Sequence, residues 1–104
     1  MGLPETLQNP KTRKKTEDRI SEPPMCRVLL HNDDFTTMDF VVSILMEIFH
    51  KTPSEATAIM LNVHEKGIGI CGTYPVEIAE TKVDTVHLRA REAGFPLLAT
   101  IEKV

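Results

Sequence analysis

The sequence predicts a single α+β domain with the element order β-α-α-β-α-β, in which a three-stranded sheet is covered on one face by helices. Three observations carry that prediction. Short apolar runs bounded by turn residues occur at Met25–His31, at 68–73 and after Pro96, and read as strands. Between them, apolar residues return at helical spacing in three longer stretches with their own start and stop signals. At 104 residues and 41% hydrophobic content, the chain has room for one core and none for a second.

Residues 1–24 come first and do not join that core. They carry Pro4, Pro10, Pro23 and Pro24 and only four large apolar residues, Met1, Leu3, Leu7 and Ile20. Such a stretch buries too little surface to offset its ordering entropy and is expected to be disordered, leaving residues 25–104 as the folded domain. The first strand, 25–31, has Cys26, Val28 and Leu30 alternating with Arg27, Leu29 and His31, apolar enough on both sides for a central position. Asn32, Asp33 and Asp34 then form a polar turn, since Asn and Asp side chains bond their own backbone. Thr36 with Asp39 three residues on reads as a helix start, and Phe40, Val41, Ile44, Leu45, Ile48 and Phe49 carry the helix to about His50. Thr52-Pro53-Ser54-Glu55 is a stronger start, with a Thr cap, Pro at the first helical position and Glu three after the cap. Ala56, Ile59, Met60 and Val63 form its buried stripe, and Gly67 ends it in a left-handed cap. Gly69 and Gly72 mark 68–73 as a short edge strand or a bulged one. The third helix begins near Pro75, buries Ala79, Val83, Val86 and Ala90, and closes at Gly94. Residues 97–101 supply the last strand.

Composition narrows the function classes. The net charge is −3, and residues 1–24 hold five basic against four acidic groups, which leaves −4 on the rest. An acidic folded part argues against a nucleic-acid surface. No apolar run is long enough for a membrane span and no secretory signal core is present, so a cytoplasmic protein is expected. Cys26 and Cys71 lie in apolar strands, where Cys acts as a small buried hydrophobe, and no disulfide framework is read.

The chemistry centres on the turn at 32–34. Two carboxylates and an amide at the lip of an apolar strand–helix unit form a mainly hydrogen-bond-accepting mouth, suited to a cation or an amine. His31, Asp33, Asp34 and His64 carry no zinc-type spacing, so no metal and no cofactor is expected. No nucleophile elbow or Gly-rich loop appears, so the chain is not expected to be an enzyme. On spacing alone, His64 reads as a residue favoured at a negative helix end, and Met38, Met60 and Val63 as core filler. Lys82, beside Glu77 and Glu80, reads as part of a solvated helix face. Those residues leave a binding module and a structural domain both open.

Four separated motifs narrow the choice. Asn32-Asp33-Asp34-Phe35-Thr36-x-Met38-Asp39-Phe40-Val41, Val63-His64, Gly67-x-Gly69-x-Cys71-Gly72 with Glu77-x-Ala79-Glu80-Thr81-Lys82, and Pro96-Leu97 together resemble the ClpS family, adaptors of the bacterial N-end rule pathway. The likeness covers residues 25–104 in order. It implies a three-stranded antiparallel sheet covered by three helices, similar to the C-terminal domain of the ribosomal stalk protein, behind a disordered N-terminal tail. It also implies a cytoplasmic, non-enzymatic adaptor that takes N-degrons to the N-domain of the ClpA unfoldase of the ClpAP protease. The N-degrons are proteins with a free α-amino group on N-terminal Phe, Tyr, Trp or Leu.

Carried over by position, the resemblance gives Asn32, Asp34 and His64 the substrate's α-amino group. It gives Leu30, Thr36, Met38, Val41, Met60, Val63 and Leu97 the pocket for the first side chain, and Glu77 and Lys82 the ClpA-docking face. The assignment is chemically coherent: an ammonium has three donors, which a carboxylate, an amide oxygen and a neutral imidazole nitrogen can accept. His31 and Thr37 depart from the family pattern beside the pocket, so the ranking of first residues is left open. The alternatives are a ribosome- or translation-linked interaction domain on the same scaffold and, more weakly, a metal-dependent hydrolase using Asp33, Asp34 and His64.

Overall fold

A computed structural model of the chain describes residues 23–104; the expectation of disorder over 1–24 lies outside the described residues except at Pro23 and Pro24, where the Pro24 carbonyl accepts from Val76 N–H at 3.1 Å. The elements are β1 (Met25–His31), α1 (Met38–Glu47), α2 (Pro53–Lys66), β2 (Ile68–Pro75), α3 (Val76–Ala93) and β3 (Leu98–Lys103). They follow the predicted order. The sheet runs β2-β1-β3 with both pairings antiparallel, so β1 is central. Its alternation sends Cys26, Val28 and Leu30 inward, each at most 1% exposed.

The inward face meets the apolar stripes of the helices: Val41, Ile44 and Leu45 of α1, Ala56 and Val63 of α2, and Ala79, Val86 and Ala90 of α3. Each fully buried large side chain, such as Leu30, Ile44 or Leu45, contributes roughly 1.5–3 kcal/mol. The opposite face of the sheet leaves Ile68, Ile70 and Leu98 exposed, so the helices cover one face only. Among the described residues, no helix is long and apolar enough to cross a membrane.

Local chemistry sets the element ends. At α2 the capping box forms: Glu55 N–H donates to Thr52 Oγ1 (3.2 Å), and Thr52 N–H donates to Glu55 Oε1 (2.9 Å). Those bonds hold the Glu55 carboxyl below its usual value. Gly67, at φ 90°, ends the helix in the left-handed region as expected. The start of α1 differs from the sequence reading. Its cap is Thr37, whose hydroxyl accepts from Phe40 N–H (3.1 Å), because the Thr36 hydroxyl is bonded to Asp33 instead. The helix also stops at Glu47, short of His50. His50 takes a left-handed φ of 56°, and Lys51 N–H bonds back to Leu45 O at 3.1 Å, which turns the chain toward α2. β2 is longer than 68–73 and carries the bulge that its glycines signalled. Val28 pairs with Gly72 and Leu29 with Ile70, so Cys71 is the extra residue.

Candidate functional site

The turn after β1 and the end of α2 are far apart in sequence, and the sheet brings them together. His31 pairs with Ile68 at the last rung of the β1–β2 ladder, and Asn32 N–H donates to Gly67 O at 2.9 Å. The left-handed Gly67 thereby presents its carbonyl to the turn and places His64, one helical turn back, beside it. Gly69 lets α2 lie close on β2, since a Cβ there would come within 2.6 Å of Val63 Cγ2 and 3.1 Å of Ile59 O. The role of these two glycines in seating the site was not drawn from the sequence.

The loop from Asn32 to Thr37 is organised by Asp33. Its Oδ1 accepts from Phe35 N–H (2.8 Å) and Thr36 N–H (2.7 Å), and its Oδ2 from the Thr36 hydroxyl (2.7 Å). Burial pushes the Asp33 carboxyl up, but the bonds from Thr36 and Phe35 together outweigh it and hold it below the usual carboxylate value. Asp33 was not among the sequence-assigned amine ligands. An Asp followed three residues on by Thr was the available signal, since both are turn-forming side chains.

Between the loop and α2 lies a cavity of about 260 Å³. Asn32, Asp33, Asp34, Thr36 and His64 line its polar side; Met38, Val41, Met60 and Val63 line the apolar side. Eight of these are residues to which the family resemblance assigns a site role, and Asp33 is the ninth. Leu30 and Leu97 do not line it: they are 0% and 3% exposed and pack in the core. No Lys or Arg lines the cavity, so its fixed charge is that of two carboxylates. Pockets for drug-sized ligands run to roughly 300–1,000 Å³. This one is sized for a single side chain with a polar head. Met38 is 45% exposed at the mouth, and Phe35, 75% exposed, stands at the loop tip. Among the described residues, no group of three or more His, Cys, Asp or Glu side chains is placed to hold a metal ion.

Glu77 and Lys82 lie elsewhere, on α3. Glu77 is exposed in the first turn, beside a groove of about 320 Å³ bounded by Pro23, Pro24, Pro75, Val76 and Ile78. Lys82 Nζ donates to Ile48 O (2.7 Å) and sits 5.7 and 5.1 Å from the ring centres of Phe49 and Tyr74. It therefore closes the C-terminal end of α1, where a cation offsets the free carbonyls. Five positions along a helix separate side chains by about 140°. Glu77 and Lys82 thus flank a helix surface instead of sharing one stripe.

Residues 21–100 match the profile of the family described as ATP-dependent Clp protease adaptor protein ClpS. The chain is 66% identical over 88 residues to the ATP-dependent Clp protease adapter protein ClpS of Nitratidesulfovibrio vulgaris, covering 85% of this chain and 88% of that one. It is 55% identical over 103 residues to the protein of the same name from Desulforapulum autotrophicum, covering 99% of each. Among solved structures, Agrobacterium tumefaciens ClpS2 bound to L-phenylalaninamide superposes with a TM-score of 0.77 at 32% identity, covering 80% of this chain and all of that one.

Proposed function

The chain belongs to the ClpS family of Clp protease adaptors, and we propose from that premise that its cavity binds the free N-terminus of a protein bearing a bulky first residue. The observation that carries the reading is the composition of the cavity wall, with acceptors on one side and Met and Val on the other. Asn32 Oδ1, Asp34 and a neutral His64 nitrogen take the three N–H donors of the ammonium, and the apolar side takes the side chain. Burying an aromatic ring or a leucine there gains roughly 25 cal/mol per Å² before ordering costs. Charge locates the chain end, and apolar volume selects among Phe, Tyr, Trp and Leu. The solved relative's phenylalaninamide has the two groups this wall would match.

The protein then acts as a cytoplasmic adaptor without a catalytic step of its own, delivering bound N-degron substrates to a ClpA-type unfoldase through the α3 surface around Glu77 and Lys82. Residues 1 to about 22 serve delivery and not peptide binding. The test is a titration with a Phe-initiated peptide and its N-acetylated copy. Binding of the first and not the second supports the reading; equal binding of both, or of neither, refutes it.

A further inference from the structure

Asp33 absorbs every hydrogen-bond donor that residues 35 and 36 offer: both backbone N–H groups at Oδ1 and the Thr36 hydroxyl at Oδ2. A carboxylate only accepts, so the sense of the last bond is fixed, with Thr36 as donor. A threonine hydroxyl has one proton and two lone pairs. With that proton committed to Asp33, Thr36 offers only lone pairs to the cavity that both residues line. Resting on the reading that this cavity holds a protein N-terminus, we propose that Asp33 is a positioning residue that makes Thr36 an acceptor for the first peptide N–H of the ligand. The site would then read three things: the ammonium, the first side chain and the amide that follows it.

The inventory of donors and acceptors supports that partner. Asn32, Asp34 and His64 match the three N–H groups of the ammonium, and both oxygens of Asp33 are already occupied. The next donor along a peptide is the amide N–H of its second residue, and Thr36 Oγ1 is the polar group of the wall still without an assigned ligand partner. The depressed Asp33 carboxyl keeps this arrangement in place near neutral pH, because an ionised carboxylate cannot return a proton to Thr36.

Two small ligands isolate the amide. L-Phenylalaninamide and L-phenylalanine methyl ester share the ammonium and the ring, but only the first has an N–H beyond the carbonyl. Both are titrated into the full chain at one pH near neutrality, and each affinity is expressed per ammonium form of the ligand. The parent should prefer the amide by about fivefold or more, the factor expected when one partner of a hydrogen bond is left unsatisfied. Thr36→Val should bind the two ligands equally, and Thr36→Ser should restore the preference. Asp33→Asn keeps the acceptor for the two backbone N–H groups but turns an amide N–H toward Thr36. The hydroxyl proton is then displaced into the cavity and the preference should fall, with thermal melting reporting that the fold persists. Equal binding of amide and ester by the parent overturns the Thr36 assignment while leaving the pocket reading standing; failure of the parent to bind either ligand overturns both. In the Thr36→Val background, Asp33→Asn should have little further effect. An equal loss of both ligands there would make Asp33 a direct charge partner of the ammonium and overturn its positioning role.

Discussion

Replacing Gly69 by Ala tests whether the close seating of α2 on β2 builds the cavity. The added Cβ would stand 2.6 Å from Val63 Cγ2, 3.1 Å from Ile59 O and 3.3 Å from Ile59 Cγ2, against roughly 3.5–4.0 Å for an ordinary carbon contact. Val63 is 3% exposed and β-branched on a helix, where one rotamer dominates, so its methyl cannot swing aside. Ile59 O is backbone and moves only with its helix. The strain therefore falls on the α2–β2 contact, and overpacking of this kind costs about 1–3 kcal/mol. For a domain of this size each kcal/mol lowers the melting midpoint by roughly 4–8 °C. Gly69→Ala should thus melt at least about 4 °C below the parent and bind a Phe-initiated peptide more weakly, since Met60, Val63 and His64 ride on the displaced helix. In a Val63→Ala background the same substitution should cost less, because the shortest contact is gone, although Ile59 O remains. An unchanged midpoint and unchanged affinity for Gly69→Ala would refute the argument.

Asp34→Ala should weaken a Phe-initiated peptide more than tenfold, as expected when one partner of a desolvated charge pair is removed; parent-like affinity at moderate salt would remove Asp34 from the amine site. Met38→Ala should admit N-terminal Ile or Val better, because shortening an exposed thioether at the mouth makes room for a branch at Cβ; equal losses for Phe and Ile peptides would reduce Met38 to packing. Burial pushes the Cys71 thiol from 9.0 up to about 12. Its contribution to stability is therefore complete below pH 9 and is lost as pH rises toward 12, and a thiol reagent should label it at neutral pH only on unfolding. His50→Gly should raise stability by up to about 1 kcal/mol in denaturant melts, because glycine adopts a φ of 56° without the steric penalty that histidine bears.

The parts of this molecule that were legible in the sequence are those whose causes are local. β1 is recognisable because its inward residues obey a period of two, and α2 because Thr52, Pro53, Glu55 and Gly67 satisfy its ends within a few residues of each other. The bulge in β2 was foreshadowed by its glycines for the same reason. The start of α1 was misplaced by one residue because Thr36 and Thr37 are equivalent cap candidates in isolation. What separates them is Asp33, which claims the Thr36 hydroxyl and leaves the cap to Thr37. That competition is also what makes the site hard to read residue by residue. His64 and the Met–Val stripe of α2 are indistinguishable from a helix-end histidine and core filler until Gly67 and Gly69 set α2 against the turn. Only then do two ordinary helix positions become two walls of one cavity. Leu30 and Leu97 show the converse: a position can be tied to a pocket by likeness and still lie in the core, outside the cavity wall. Resemblance among distant motifs supplied the long-range pairing that local rules lack, because a chain that keeps both the turn and the end of α2 keeps the pairing between them.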